Sequence, residues 1–443
     1  MTFAEQINAA LFADPALPET PPVAVTGTGE LPSCFATSDF AVATVSAAAG
    51  ELAALRGDDA ASVNRRHALM WFDMTLRPQG WTLPNLWDPI AGDYATADGW
   101  IRLHTNAPHH CAAALSVLGC DLDRAAVAKI VANWTAEDLE TAVVAAKGCA
   151  AAMRPAEDWA HHPQGKAVAA EPLMDWTVTA TDAAPVALHG VKILDLTRVL
   201  AGPVATRLLA GFGADVLRID PPSWDEPGVV PEVTLGKRCA GLDLTQPDDR
   251  ATFEALVRGA DVMVHGYRRD ALAGMGYNRD ALRRLNPHLI DVSLNAYGNT
   301  GPWANRRGFD SLVQMSSGIA HTGMITAGAN TPRPLPVQAL DHGTGYLIAA
   351  CVLRALRLRG ATGTCTSARL SLARVAHLLA SGGTRPYAGE ALEETAQDLS
   401  PTIETTVWGT AQRIHFPIVT GVTQAHWPHP AGPLRRHRAT WAP

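Results

Sequence analysis

Apolar positions along the chain change period several times, and each change marks an element. From Val191, the aliphatic-rich "VKILDL" reads as a short buried strand. "GPVATRLLAGFG" then takes helical spacing with a terminal glycine, and "ADVLRID" forms a second strand. Two strands joined by one helix of that length predict a right-handed βαβ unit in a parallel sheet. The alternation continues through the helix "RATFEALVRG", the strand "DVMVHG", the helix "RDALRRLN" opening near Asn278, and the strand "LIDVSLNAYG". Residues 191 to about 300 are thus predicted to be doubly wound, with ligands in the crevice at the carboxyl ends of the strands.

Upstream, "VAVTGTGELPS" reads as a loop, "DFAVATVSAAAGELAAL" as a helix and "DYATADGWIRLHTN" as a turn feeding a strand; residues 121–152 are Ala-rich and helical. "RPAEDWAHHPQGKAVAAEPLMDW" reads as loop-rich, and "TATDAAPVALHG" as a linker into the doubly wound region. One stretch echoes another. "LPSCFATSDFAVATVSAAAGELAALRG" and "LPVQALDHGTGYLIAACVLRALRLRG" each run from Leu-Pro through an aspartate into an Ala-rich helix closing on Arg-Gly. Asp39 lies 18 residues before Gly57, and Asp341 lies 19 before Gly360. Asp341 heads a long apolar run with no other carboxylate, and residue type alone leaves it two roles: helix N-cap, as aspartate commonly is, or nucleophile. Gly343 and Gly345 beside it are expected to let a bulky substrate approach.

Composition narrows the classes. A chain of 443 residues with 47% hydrophobic and 18% charged residues has ample material for two or three globular domains. The net charge of −7 argues against nucleic-acid partners, though an anionic small ligand needs only a local basic pocket. No uninterrupted apolar run approaches the roughly 18 residues of a membrane span, and the N-terminus lacks a signal-peptide pattern, so a cytoplasmic location without membrane attachment is expected. Seven scattered cysteines with no Cys-x-x-Cys point to buried free thiols, not to disulfides or a metal site. The basic end "PLRRHRATWAP" is expected to be solvated, and most of the 12 tryptophans to be core, with some lining a pocket.

The series "VKILDLTRVLAGPVATRLLAGFGADVLRIDPP", "GKRCAGLDLTQPDDR", "HGYRRDALAGMGYNRDALRRLNPHLIDVSLNAYGNTGPW" and "RRGFDSLVQMSSG" resembles the class III (CaiB/BaiF-type) CoA-transferases. Formyl-CoA:oxalate and carnitine CoA-transferases belong to that family, and α-methylacyl-CoA racemases share its fold. The resemblance covers residues 188–375 nearly continuously. "DPIAGDYATADGWIRLHTNAPHHCAAALSVLG" through "EPLM" resembles the family's smaller domain, which here precedes the CoA-binding domain instead of following it. The resemblance implies an α/β fold: a Rossmann-like parallel-sheet CoA-binding domain plus a smaller α+β domain. The expected divisions are 1–185 for the small-domain-like region with its Ala-rich helix, 186–385 for the CoA-binding domain with the nucleophile-bearing helix, and 386–443 for a C-terminal extension.

The resemblance also implies that Asp341 attacks an acyl-CoA thioester to give a mixed anhydride, then an aspartyl-CoA thioester, with a carboxylic acid as acceptor. Coenzyme A is then a substrate, with no further cofactor and no metal. For CoA the resemblance assigns Val199, Leu200 and Ala201 in the turn after the first strand, and Gly266, Tyr267 and Met275 near the adenine. Lys237 and Arg238 are suited to its phosphates, and Arg307 matches a basic residue of some members. Family members form interlocked homodimers, so a homodimer is expected. Departures are visible: Gly274 stands where an arginine often precedes the methionine, Pro221 and Pro222 stand where a basic residue is frequent, and "HTNAPHHCA" replaces a glycine-rich closing loop, leaving His109 or His110 in its place. Asp39 is the rival carboxylate, without nearby glycines. Racemases of the family use a histidine where Phe309 precedes Asp310 here, which disfavours two-base proton transfer. The alternatives are an isomerase using Asp341 with His342 or Asp310, and a CoA-binding protein without turnover.

Overall fold

In the computed structural model, which describes residues 1–180, 182–388 and 392–442, the expected α/β alternation forms one seven-stranded sheet. Its spatial order is Arg238–Gly241, Asp215–Asp220, Lys192–Leu196, Val262–His265, Ile290–Asn295, Cys365–Ser371 and Asp175–Ala180. The first six strands are parallel, and the last, Asp175–Ala180, is an antiparallel edge. That edge takes in only Thr179 and Ala180 of the stretch read as a linker, whose Thr181 lies outside the described residues.

Period-two alternation sorts the strand side chains to two faces. Ile193, Val216, Val262 and Val264 enter the main core on one face. Leu194, Leu217 and Met263 pack on the other face, where helices Pro247–Gly259 and Arg279–Leu285 contribute Phe253, Leu256 and Leu282. The main-core face is covered by helices Ala201–Gly211 and Ala339–Thr362.

Helix Thr37–Arg56, the echo of the long helix, lies against it. The two run in parallel. A Cβ on Gly343 would strike Phe40 at 2.4 Å, and near the other end Glu51 pairs with Arg357 at 2.7 Å. Gly345 is equally filled, its absent Cβ being 2.5 Å from the Ala201 carbonyl. Both glycines therefore serve helix-to-helix packing and not substrate access, which corrects the sequence expectation. By length and composition Thr37–Arg56 is apolar enough to cross a membrane, yet 67% of it is buried inside the fold.

A separate three-stranded sheet (Gly92–Ala95, Trp100–Leu103, Ala150–Ala152) carries helices Pro108–Leu118, Arg124–Val131 and Ala136–Ala145 over its own core. The chain ends interleave: Leu76–Gln79 pairs with Gly409–Ile414, and Ala61–Asn64 with Ile418–Thr420. The basic C-terminal end is docked, not solvated. His437 pairs with Cys239 along the outer strand, and Trp441 donates to the Leu256 carbonyl at 3.1 Å, so the tail covers a sheet edge.

Candidate active site

From Lys192–Leu196 the chain winds to the Asp215–Asp220 side and later returns to Val262–His265 on the other, so the connections leave the carboxyl ends of these neighbouring strands in opposite directions. A cleft of about 330 Å³ opens at that switch point, with Leu196, Thr197 and Gly266 at the strand ends. Val199 and Ala201 also line it, and Ala201 opens the helix Ala201–Gly211, whose N-terminus has no side-chain cap. Val199 has φ +63°, a conformation costing a β-branched residue about 1–3 kcal/mol. Glu226 holds it there, accepting from the Val199 amide at 2.9 Å, the Trp224 indole at 2.9 Å and Arg218. Arg198, Arg268 and Arg307 line the same cleft, the Arg198 guanidinium lying 4.5 Å from the Trp224 ring and 5.2 Å from Tyr267.

Asp341 borders this cleft, only 6% exposed. It does not cap its helix. The long helix begins at Ala339, placing Asp341 third within it, and Asp310 supplies the cap from another element. The Asp310 carboxylate accepts from the Leu340 amide at 2.9 Å and the Asp341 amide at 3.0 Å, and also from the Gln314 side chain. Gln314 is itself fixed by accepting from the Leu335 amide at 2.7 Å. With the capping done by Asp310, no donor among the described residues reaches the Asp341 carboxylate. Burial, and then the like charge of Asp310, push the Asp341 carboxyl well above the usual range; burial raises Asp310 as well, against the amides that lower it.

Replacing Asp310 by asparagine keeps an oxygen for the helix amides but sets an NH2 against that of Gln314. The expected cost is about 1–3 kcal/mol in urea unfolding. Losing the like charge should also move the acid limb of the pH–rate profile to lower pH, because Asp341 then ionises more readily. An unmoved limb would mean that Asp341 is not the titrating group.

The expected site residues divide cleanly. Val199, Ala201, Gly266, Tyr267, Arg307 and Asp341 line one cleft, together with His109 and His110. Leu200 is 5% exposed just before the helix and does not line it. Lys237 is fully buried with its ammonium 3.0 Å from Asp195 and 3.0 Å from the Pro203 carbonyl, so it is an internal tie and cannot meet a phosphate. Arg238 makes a two-pronged pair with Asp215 at the amino-terminal edge of the sheet, opposite the crevice, and anchors the tail through the Thr440 carbonyl at 2.6 Å. Met275 packs into the second core. Asp39 is exposed, paired with Arg65 at 2.9 Å, and faces a different groove.

His342 stacks on Phe72 and lies outside the cleft, its imidazole pushed down to about 3 by burial. Phe309 lies flat on the buried His104, ring centroids 3.7 Å apart, and so puts a ring where an isomerising base would stand. Arg198, Trp224 and Glu226 went unnoticed in the sequence. Arg198 directly precedes the assigned turn, which was a usable signal; Trp224 and Glu226 carry none, because only the loop fold returns them to Val199.

A doubly wound sheet with a buried carboxylate and three arginines bordering a cleft at its switch point defines an α/β protein with its candidate site at the carboxyl ends of the strands. The chain belongs to CoA-transferase family III, whose model matches residues 188–430, more than half its length. It is 35% identical over 190 residues to a succinate–glutarate CoA-transferase of Agrobacterium fabrum, covering 38% of this chain and 46% of that protein. Identity is 33% over 190 residues to a formyl-CoA:oxalate CoA-transferase of Rhodopseudomonas palustris, covering 40% and 44%. A crystal structure of a CAIB/BAIF family protein from Brucella suis is 26% identical, with a TM-score of 0.39 over 52% of this chain and 65% of that one. The chain spans under half the length of these curated relatives.

Proposed function

We propose that the protein transfers coenzyme A from an acyl-CoA to a carboxylic acid, with Asp341 as the covalent nucleophile. The observation that carries this reading is the Asp341 carboxylate itself: buried, relieved of capping by Asp310, without a donor among the described residues, and at the edge of an arginine-lined cleft. Such a carboxylate is poorly solvated and therefore more nucleophilic than one in water. It attacks the thioester carbonyl; the C–S bond breaks, and CoA leaves as the thiolate with the acyl group on Asp341 as a mixed anhydride. The thiolate then attacks the Asp341 carbonyl carbon, expelling the donor acid and leaving an aspartyl-CoA thioester. The acceptor carboxylate repeats these steps in reverse and departs as the new acyl-CoA. Arg198, Arg268 and Arg307 supply positive charge for the phosphates, Val199, Ala201, Gly266 and Tyr267 shape the path of the ligand, and the uncapped helix N-terminus favours developing negative charge.

The test is intact-protein mass spectrometry after incubation with acyl-CoA, followed by hydroxylamine. A hydroxamate mapped to the peptide carrying Asp341 is the expected result. CoA binding with no trapped adduct on any carboxylate would remove the covalent mechanism and leave a binding protein.

A further inference from the structure

We infer that the acyl subsite takes an uncharged, apolar acyl group about the size of an aromatic ring on a short chain, and rejects acyl groups ending in a carboxylate. The inference rests on the transferase reading only in placing the thioester carbonyl at Asp341; the subsite is read from its own walls.

Asp341 lies at a junction. On one side is the arginine-lined cleft; on the other a narrow throat of about 30 Å³ passes Phe309 and Val229 and continues into a chamber of about 230 Å³. The chamber lies between the loop around 85–88 and the loop 224–229. Gly228 lets these loops touch, since a Cβ there would fall 2.7 Å from the Asn85 carbonyl. A thioester carbonyl at Asp341 with CoA in the cleft has the throat and chamber as its remaining outlet.

The walls are apolar where the chain would run: Leu86, Trp87, Val229 and Phe309. Leu86 and Trp87 are 36% and 38% exposed, large apolar groups that a ligand would cover. An apolar cavity of about 150 Å³ takes up benzene, so this volume accommodates a ring with a short linker. The polar rim is one-signed. Asp88, Asp225 and Glu226 border the chamber, and no lysine or arginine lines it or the throat among the described residues. Arg102 stacks on Trp87 at 5.0 Å but is paired with Asp93 at 2.7 Å. His104 is held neutral, pushed down to about 3 by burial and then by Arg102. A terminal carboxylate would thus be desolvated beside acidic side chains, with no lysine or arginine among the described residues lining the chamber to pair with it.

Equilibrium binding of inert thioether analogues to the full chain reads the subsite without turnover. S-(3-phenylpropyl)-CoA should bind roughly 10- to 100-fold more tightly than free CoA, the gain for burying a large apolar side chain. S-(3-carboxypropyl)-CoA should bind no better than CoA. Val229→Arg, which sets a cation in the chamber, should reverse that order; Trp87→Ala, a change at an exposed position, should abolish most of the phenylpropyl gain. Carboxypropyl binding equal to or tighter than phenylpropyl binding in the wild type would overturn the inference while leaving CoA binding intact. The expected order with no trapped adduct would uphold the chamber and defeat the transferase mechanism. Failure of all three ligands to bind would overturn both.

Discussion

Asp341→Ala is expected to lose transfer activity by at least roughly a thousandfold, as removal of a covalent nucleophile does, and at the same time to gain stability at neutral pH. The two effects share one cause. Folding raises the Asp341 carboxyl above its ordinary range, through burial first and Asp310 second, so the folded state binds that proton more tightly than the unfolded state. The contribution of the group to stability is therefore fully present below the unfolded carboxyl pKa and declines as pH rises through the folded one. Well above the unfolded carboxyl pKa, the wild type must on folding either keep a desolvated, repelled charge or take up a proton, a cost the alanine variant lacks; at pH 4 that cost is small. The melting temperature of the variant should accordingly exceed that of the wild type at pH 8, with the advantage shrinking toward pH 4. A helix cap would behave oppositely, its loss costing about 1 kcal/mol, so an Asp341→Ala variant that is less stable at pH 8 would return Asp341 to a structural role.

The second large effect lies away from the cleft. Glu232 is fully buried and binds four groups: the Thr75 amide at 3.0 Å, the Thr75 hydroxyl at 2.6 Å, Arg413 at 3.0 Å and Arg207. Arg207 belongs to the helix that starts at the cleft and lies over Trp71 at 4.4 Å; Arg413 belongs to the C-terminal strand Gly409–Ile414. One carboxylate thus ties the N-terminal segment and the C-terminal strands to the doubly wound core. Glu232→Gln leaves the buried Arg207 without a carboxylate partner among the described residues and Arg413 with Glu404 alone, at 2.7 Å, for which about 3–5 kcal/mol is expected, read as a lower urea midpoint with little change in slope. Burial alone would raise the Glu232 carboxyl, but Arg413, then Arg207, then Thr75 outweigh it and hold it at about 2. A depressed carboxyl contributes stability above its unfolded pKa that is lost as pH falls toward about 2, so the variant should also show a shallower acid limb below about pH 4.5. A midpoint unchanged by Glu232→Gln would mean that these chain ends fold independently of the tie.

Some of this was legible in the chain before any fold was known, for an identifiable reason. The short aliphatic-rich stretches at 192–196, 215–220, 262–265 and 290–295 read as strands, and the helical periods between them call for parallel crossovers. The switch-point cleft follows from that winding alone. The echo between residues 31–57 and 335–360 was equally visible, and its physical meaning is a pair of parallel, packed helices.

What escaped the sequence depends on contacts between distant residues. A lysine-arginine pair in "GKRC" looks like a phosphate site until Asp195 and Asp215 are brought within reach, 42 and 23 residues away in the chain, and claim both cations. A glycine beside an aspartate looks like room for substrate until Phe40 and Ala201 fill it. The sequence by itself determined the parallel sheet, its open end and the aspartate beside it, because hydrophobic period and helix length act locally. Only the tertiary structure decided what that aspartate is free to do. Asp310, 31 residues earlier, caps the helix in its place, and burial then leaves the Asp341 carboxylate without a donor among the described residues.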